Sequence, residues 1–425
     1  MSALHTKRIA IDDLTVGMYL IGVDQPWLQS PFLLNRRSIR SQDDIARLKA
    51  YGIQHVTIDP RRGLDYIAAD QEPVPGPVAL ESTPDTAAAA PPGSPEVPLV
   101  AEPARGQPGP EVDLRLARAV HTEAVAAVQG LFEGVKTGAP INSGAAKEVV
   151  HSLLETVLYR QEAMTGLIHM RHFDVNLYAH TINVCAFALL LGATAGLERA
   201  QLECLGLGAL LHDIGQVYLP RNLVSKPSRY TPQEQRLMQA HPQLGATMLS
   251  QAAPIPALAC QIVAEHHERL DGSGYPRALR GADLAPMGQI VAIADVYESM
   301  LGPREARPAL LPAQALKELY QQGRAQQLDL RLVEQLVRCL GLYPVGSLVA
   351  LNTGERGIVT AVNPTDALRP AVTVLWDAAL QRYARPRVLH LSGTENAEPY
   401  VICQVLDPVA EGYDLVTTLA ESTHA

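Results

Sequence analysis

Hydrophobic positions recur with the period of an α-helix through the middle of the chain. Six apolar side chains keep this period near the start of the region: Val112, Leu116, Val120, Val128, Leu131 and Val135. The later stretch INVCAFALLLGATAGL, at 182–197, is apolar on every face, as in a helix buried on all sides. That stretch is too short to span a bilayer and lacks basic flanks. The pattern predicts a helical domain over 111–342.

The two ends of the chain show a different pattern, in which short apolar runs alternate with turn residues. Towards the N-terminus, KRIAIDDL, GMYLIGV and QHVTID predict strands around one helix. Ser41 is the expected N-cap of that helix, Asp44 holds the capping-box position, and Gly52 is the expected stop. Towards the C-terminus, VGSLVAL, GIVTAV and AVTVLWD predict further strands. We therefore predict an α+β module at 1–70 and a β-rich module at 343–425.

Between the first module and the helical domain, the composition shifts to Pro, Ala, Gly and Glu. The stretch PVPGPVALESTPDTAAAAPPGSPEVP falls within residues 71–110. Such a segment buries too little apolar surface to offset the entropy lost on ordering. We predict a flexible linker at 71–110, and hence a mainly α protein with a small module at each end.

Composition and charge narrow the classes of function. The net charge of −9 argues against a nucleic acid polymer as a partner. Five cysteines form no CxxC pair, which favours buried, reduced thiols: Cys185, Cys204, Cys260, Cys339 and Cys403. The first residues, MSALHTKRIAIDDL, lack the apolar run of a signal peptide. These features predict a cytoplasmic protein without membrane insertion.

Seven imidazole and carboxylate side chains stand in or beside helical stretches that are largely apolar. They are His180, His212, Asp213, His241, His266, His267 and Asp295. Burying so many polar groups without partners would cost several kcal/mol each. A bound metal would supply the partners. A mixed set of imidazoles and carboxylates suits iron, manganese, zinc or nickel rather than calcium.

The adjacent pairs HD and HH distinguish this set from isolated polar residues in a core. A lone buried histidine is more often a hydrogen-bonded core residue, and Asp295 alone could cap a helix. Neighbours on a helix point about 100° apart, so each pair offers ligands in two directions. Asp213 could bridge two ions while His212 binds one of them. The set therefore predicts the two-metal site of a hydrolase.

The motifs HDIG, HHE, DGSGYP and ADVYE, in that order, resemble the HD-GYP family of the HD metal-dependent phosphohydrolases. The similarity runs from about Asn176 to Arg307. The runs VGMYL, DQPWLQSPFLL and DDIARLKAYGIQHVTID resemble an accessory domain found ahead of some bacterial HD-GYP domains. The resemblance implies an all-helical HD-type core between the α+β and β-rich modules. It also implies a metal-dependent phosphodiesterase that hydrolyses the bacterial second messenger cyclic di-GMP.

Carried over residue by residue, the resemblance makes all seven side chains metal ligands, with Asp213 as the bridging, catalytic carboxylate. It assigns substrate contacts to six further residues: Gln216, Gly274, Tyr275, Pro276, Arg304 and Arg307. Tyr275 would stack on a guanine or pack the loop. Arg304 falls where the family has a phosphate-binding arginine in a DRPYR-like segment, which here reads PREAR. A solvated helix end is the alternative reading of Arg304 and Arg307.

Two positions depart from the family pattern. Gln216 stands where the family usually has a lysine, four residues after His212 and so on the same face of a helix. The missing charge would cost about 1–3 kcal/mol, roughly a ten- to hundredfold effect on rate. Asn176 stands where members with three metals have a glutamate. We therefore expect two divalent ions, iron or manganese.

Three functions follow as alternatives. The leading one opens cyclic di-GMP to pGpG, with slow onward hydrolysis to GMP. The second is a catalytically weak receptor that binds cyclic di-GMP and signals through a protein partner. The third is an HD-fold enzyme that acts on another nucleotide. Diguanylate cyclases of the GGDEF type, other signalling proteins and a second copy of the chain are the protein partners considered.

Overall fold

The computed structural model describes most of the chain outside the proline- and alanine-rich segment. The described residues are 6–24, 37–39, 41–50, 53–64, 110–170, 177–224, 226, 228–251, 255–303, 308–363, 366–392, 400–415 and 418. They fall into two compact units, one up to residue 64 and one from residue 110 onwards. The predicted linker at 71–110 lies outside the described residues, except that Pro110 is the first residue of a helix. Proline suits that position because its missing N–H has no intrahelical partner there.

In its described residues, the N-terminal unit is a four-stranded antiparallel sheet with one α-helix and a 3-10 helix, Ile11–Asp13. Its elements are β1 (Lys7–Ala10), β2 (Tyr19–Val23), β3 (Arg37–Ser38), α1 (Gln42–Ala50) and β4 (His55–Ile58), and the strand order is β1-β4-β2-β3. The predicted cap of α1 is confirmed, because the Ser41 Oγ accepts the Asp44 N–H at 3.3 Å. Gly52, the predicted stop, lies outside the described residues.

The second unit begins with a region of α-helices. They are α2 (Pro110–Lys136), α3 (Ser143–Tyr159), α4 (Gln161–Met170), α5 (Leu177–Thr194), α6 (Arg199–Leu210), α7 (Arg221–Val224), α8 (Pro232–Met238), α9 (His241–Gln251), α10 (Ala257–Glu265), α11 (Pro286–Leu301), α12 (Pro312–Arg324) and α13 (Leu330–Leu340). A 3-10 helix, Ile214–Tyr218, follows α6. The predicted mainly α fold with a helical core is confirmed.

Helix α5 lies at the centre of this region and packs against α3, α6 and α11. The expectation that the apolar stretch is too short to span a bilayer is wrong, because α5 has 18 residues and is long and apolar enough to cross a membrane by length and composition. However, 67% of its apolar window is buried inside the fold. That burial is the behaviour of a core helix, as the sequence predicts. Since α5 is surrounded by other helices, its polar residues are held in fixed positions by their neighbours.

Two details of the sequence pattern hold only in part. On α2, Leu116 is 42% exposed, whereas the neighbouring Ala117 is fully buried. The small side chain of Ala117 lets α2 approach its partner helices closely, and the longer side chain of Leu116 lies at the edge of the contact.

The five cysteines are all free, as predicted, but only Cys185 is fully buried.

The C-terminal part of the second unit is a five-stranded antiparallel sheet. Its strands are β5 (Leu348–Leu351), β6 (Arg356–Ala361), β7 (Ala371–Trp376), β8 (Arg382–His390) and β9 (Ile402–Leu406), in the order β8-β7-β6-β5-β9. The predicted β-rich character is confirmed. The apolar pattern of the sequence does not predict strand β8, RYARPRVLH, because this strand lies at the edge of the sheet and none of its residues is buried.

Helix α4 anchors this sheet to the helical region. The buried His169 donates from Nδ1 to the Val345 carbonyl at 2.9 Å, and its Nε2 accepts from the Tyr297 hydroxyl at 3.0 Å. The Val362 N–H donates to the Glu162 carboxylate at 3.0 Å. Burial raises the pKa of that carboxyl, and the Val362 hydrogen bond partly opposes the shift. Gly166 leaves room for Val345, whose Cγ1 would lie 2.8 Å from an added Cβ.

Candidate metal centre

The structure brings all seven predicted ligands into one cluster, although they come from separate helices. His180 lies on α5, and Asp295 lies on α11. The turn after α6, the first residue of α9 and the end of α10 supply the others: His212, Asp213, His241, His266 and His267. Five of the seven are buried, and the side chains of His180 and His267 are only 14% and 19% exposed.

The donor atoms divide into two groups, each large enough to hold one ion. One group is Asp213, His241, His266 and His267, and the other is His180, His212 and Asp295. Within each group the donor atoms lie within 4.8 Å of one another.

Asp213 faces both groups. Its Oδ1 lies 3.1 Å from the His241 Nε2, and its Oδ2 lies 3.4 Å from the His212 Nε2. Asp295 also spans them, with Oδ1 3.3 Å from the His180 Nε2 and Oδ2 3.5 Å from the His267 Nδ1. The sequence predicts one bridging carboxylate, whereas the geometry offers two.

Three of the histidines are oriented by the ends of helices. The Nδ1 atoms of His212, His241 and His266 each donate to the carbonyl three residues earlier, at Ala209, Met238 and Val263, over 2.7–2.8 Å. Those carbonyls belong to the last turns of α6, α8 and α10, where intrahelical donors run out. Since Nδ1 carries the proton, each Nε2 presents its lone pair to the centre.

This arrangement of lone pairs fits a cation. The Nε2 atoms of His241 and His266 lie only 3.2 Å apart, although both rings carry their proton on Nδ1. The Nε2 of His212 is buried and has no hydrogen-bond partner within the described part of the chain. Facing lone pairs repel unless a positive charge lies between them. Imidazole nitrogens together with carboxylate oxygens are the donors that divalent iron, manganese or zinc accepts.

The protonation states of the histidines differ across the cluster. Burial acts to lower the pKa of His180, but the carboxylates of Glu298 and Asp295 outweigh it and raise that pKa to about 10. Burial lowers the pKa of His267 to about 3, and that of His266 well below its usual range. At neutral pH the HH pair is therefore uncharged, whereas His180 must release a proton when a metal binds.

The two carboxylates stay ionised. Burial acts to raise the pKa of Asp213 and of Asp295, but the positive charges that His212 and His180, respectively, carry when protonated hold each pKa well below its usual range. Asp213 in turn raises the pKa of His212 against the effect of burial, so a metal ion competes with a proton at this imidazole as well. Asp213, Asp295 and Glu298 thus bring three negative charges into a largely buried cluster in which His180 carries one positive charge. A bound cation would compensate them.

Glu298 belongs to the site, although it is not among the residues predicted from the sequence. Its carboxylate accepts a short hydrogen bond from the His180 Nδ1. Glu298 follows Asp295 by three residues on α11 and so shares its helix face. This spacing, visible in ADVYE, was the available signal.

The glycine-rich loop after the HH pair is folded back onto the preceding backbone. The buried Glu268 accepts the N–H groups of Arg277 and Leu279 at 2.7 and 3.0 Å. The Tyr275 ring lies against the His267 ring, with centroids 4.7 Å apart. This contact packs Tyr275 against a predicted metal ligand, and stacking of Tyr275 on a guanine stays a prediction. Pro276 follows through a cis peptide bond.

We expect Gly274→Ala to destabilise this loop. A Cβ at this position would lie 2.4 Å from the Glu268 Cα, which is a backbone atom that cannot move away alone. The predicted loss is about 1–3 kcal/mol in the free energy of unfolding, measured by urea titration. Gly130→Ala on α2 is the control, because nothing lies within 4 Å of its added Cβ. Equal midpoints for the two variants would contradict the close approach.

The helical position expected for Gln216 is wrong. Helix α6 ends at Leu210, and Gln216 lies in the 3-10 helix, where its N–H donates to the Asp213 carbonyl at 2.9 Å. Gln216 therefore lies one 3-10 turn after Asp213 and does not share an α-helical face with His212. It is half-buried. Asn176, Arg304 and Arg307 lie outside the described residues.

Three family models match consecutive parts of the chain. Residues 6–146 match a domain of unknown function (DUF3391), residues 162–332 match the HD domain, and residues 348–409 match the KOW domain associated with HD domain.

Similar proteins come from several bacteria. The cyclic di-GMP phosphodiesterase PA4108 of Pseudomonas aeruginosa is 30% identical over 373 residues, which cover 88% of this chain and 86% of that protein. The 3′3′-cGAMP-specific phosphodiesterase 2 of Vibrio cholerae is 31% identical over 193 residues, 45% of this chain and 34% of that protein. Among solved structures, Bd1817, an HDG"Y"P protein from Bdellovibrio bacteriovorus, aligns with a TM-score of 0.46 at 16% identity, over 78% of this chain and 98% of that one.

The HD domain match and the His/Asp centre define the class as a metal-dependent phosphohydrolase with an HD domain. The similarity to PA4108 extends over most of both chains and includes the modules on either side of that domain. The chain belongs to the HD-GYP family, and it is a phosphodiesterase.

Proposed function

We propose that this phosphodiesterase hydrolyses cyclic di-GMP to linear pGpG, with slower onward hydrolysis to GMP. The observation that carries the proposal is the pair of donor groups on either side of Asp213. A relative similar over 88% of this chain bears the name of a cyclic di-GMP phosphodiesterase. The proposal places the protein in the cytoplasm, in bacterial second-messenger signalling, with diguanylate cyclases as signalling partners.

Different residues of the centre have different roles in hydrolysis. Two divalent ions, iron or manganese, held by the two donor groups would supply Lewis acidity toward the phosphate and lower the pKa of water. Asp213 and Asp295 fix the separation of the groups, since each presents one oxygen to either side. The helix-end carbonyls hold three imidazoles in a single tautomer. Hydrolysis adds water across one phosphodiester bond, breaks the bond from phosphorus to the 3′-oxygen, and leaves a 5′-phosphate.

Product analysis tests the proposal. Purified protein loaded with Fe²⁺ or Mn²⁺ is incubated separately with cyclic di-GMP and with 3′3′-cGAMP, and products are separated by chromatography and identified by mass. We expect pGpG to appear first from cyclic di-GMP. Tight binding of cyclic di-GMP without product would favour the weak receptor. Faster turnover of 3′3′-cGAMP would assign the enzyme to another nucleotide.

Gln216→Lys tests whether a missing charge limits turnover. Gln216 lies one 3-10 turn from Asp213 and is half-buried. A lysine there would add a charge-assisted contact to a substrate phosphate, so we expect kcat/KM on cyclic di-GMP to rise about ten- to hundredfold.

The exposed Gln251, the last residue of α9, supplies the control for this substitution. Gln251→Lys adds the same charge at the surface and should leave kcat/KM unchanged. Metal content, measured by elemental analysis, should equal that of the wild type in both variants. Unchanged or lower turnover of Gln216→Lys at equal metal content would show that glutamine is no handicap, and the weak receptor would lose its main support.

A further inference from the structure

A row of hydrogen-bonded side chains leads from His180 to the first helix of the second unit. The His180 Nδ1 contacts Glu298, whose other carboxylate oxygen accepts from the Asn183 Nδ2 at 2.9 Å. The Asn183 Oδ1 lies 2.8 Å from the Nε2 of His121 on α2. His121 is 3% exposed, and the row joins α11, α5 and α2.

The available donors and acceptors determine the direction of every hydrogen bond in this row. The ionised carboxylate of Glu298 can only accept, so both His180 and Asn183 must donate to it. With its NH₂ group turned toward Glu298, Asn183 presents its oxygen to His121. The His121 Nε2 must then carry a proton. One amide orientation and one tautomer of each imidazole satisfy all three contacts.

His180 needs such a row because of its position in its helix. His212, His241 and His266 are oriented by carbonyls at helix ends, which have no intrahelical donors. His180 lies in the first turn of α5, where the carbonyls accept from the following turn. The Leu177 carbonyl, for example, also accepts from the Thr181 hydroxyl at 2.9 Å. The orienting acceptor for His180 must therefore come from another element.

We propose that Glu298, Asn183 and His121 are positioning residues that hold the Nε2 of His180 toward the metal centre. This inference rests on the metal site of the proposed function and adds residues to it. Partners of this kind fix the ring orientation of a metal-binding imidazole and raise its basicity, and their removal costs about 10–100-fold in metal affinity.

Substitutions along the row test the proposal through metal affinity, measured with Mn²⁺ and a competing chelator. Asn183→Leu keeps the size of the side chain and removes both hydrogen bonds, so affinity should fall about 10–100-fold. His121→Leu should lower affinity in the same direction, whereas His121→Gln retains an N–H donor toward Asn183 and should stay near the wild type. Thr181→Val is the control, because Thr181 is buried on the same helix but bonds only to the Leu177 carbonyl among the contacts described.

A polarity swap separates positioning from packing. Glu298→Gln can still accept from His180, but its amide NH₂ then meets the NH₂ of Asn183, and metal affinity should fall. Adding Asn183→Asp to the same chain turns that contact back into a donor–acceptor pair and should restore affinity to within about threefold of the wild type. A packing role alone predicts no such recovery. The unfolding midpoint of each metal-free variant shows whether the fold is intact, and the swap decides the question if Asn183→Leu fails to fold.

The outcomes separate this inference from the proposed function. Wild-type protein that retains no metal would overturn the metal site itself. Wild-type protein that binds Mn²⁺, with Asn183→Leu and Glu298→Gln binding equally well, would overturn only the positioning row. A loss of affinity in Thr181→Val as large as that in Asn183→Leu would also overturn it, since any change on α5 would then suffice.

Discussion

Asp213→Asn is expected to lose both metal ions and at least about 1000-fold in turnover of cyclic di-GMP. The substitution keeps the shape of the side chain but replaces one carboxylate oxygen with an NH₂ group. Both oxygens are in use, one 3.1 Å from the His241 Nε2 and the other 3.4 Å from the His212 Nε2. An amide donor on either side would face the atoms that bind an ion. Elemental analysis and turnover are measured on the same preparation.

An exposed aspartate supplies the control for this variant. Asp283, in the short 3-10 turn before α11, is exposed, so Asp283→Asn should retain wild-type metal content and turnover. If Asp213→Asn kept two ions per chain with full activity, the assignment of the bridging carboxylate would be wrong.

Metal removal is expected to lower the free energy of unfolding by about 4 kcal/mol per site, at a free metal concentration about 1000 times the Kd. Without a cation, the Nε2 lone pairs of His241 and His266 face each other over 3.2 Å, and the protonated His180 is left to offset the charge of the two buried carboxylates Asp213 and Asp295. Urea unfolding of the chelator-stripped and metal-loaded protein measures the difference.

At a fixed free metal concentration, rather than a fixed multiple of the Kd, this difference should depend on pH in a defined direction. In the metal-free folded protein, the pKa of His180 is raised to about 10. Protonation of His180 therefore stabilises the folded state, and this contribution is fully present below the pKa of about 6.5 that the imidazole has in the unfolded chain. That contribution is lost as the pH rises toward 10. A bound metal must displace the same proton, so metal affinity increases over this range. The gain in stability on metal binding should therefore be larger at pH 8 than at pH 6. An equal gain at both values would contradict the protonation of His180.

The sequence predicts that these seven side chains share one site because they are conspicuous. Imidazoles and carboxylates such as His180 and Asp295 stand in apolar helical surroundings, where few polar residues occur without a role. The partners of these residues are harder to predict. Asn183 and His121 are far apart in the chain from Glu298, and only the packing of three helices brings them together.

Other misses have local causes. The stretch ALLHDIGQ carries no proline or glycine before the point where α6 ends, so the sequence gives no sign that Gln216 leaves the α-helical register. The strand β8 alternates poorly because it lies at the edge of its sheet, where burial does not select apolar residues. In both cases the tertiary environment, rather than local propensity, decides the conformation.

The hydrogen bonds of His169 limit where the chain of this enzyme can be truncated. Its Nδ1–H donates to Val345, beyond the last helix, and its Nε2 accepts from Tyr297, two residues after Asp295. A truncation after α13 would deprive a fully buried donor of its acceptor, at a cost of about 1–3 kcal/mol. The helices and the sheet lie in one compact unit, so we expect the change from helix to strand near residue 343 to be a poor place to divide the chain. A gene fusion that transplants the metal-binding helices must carry the sheet with them.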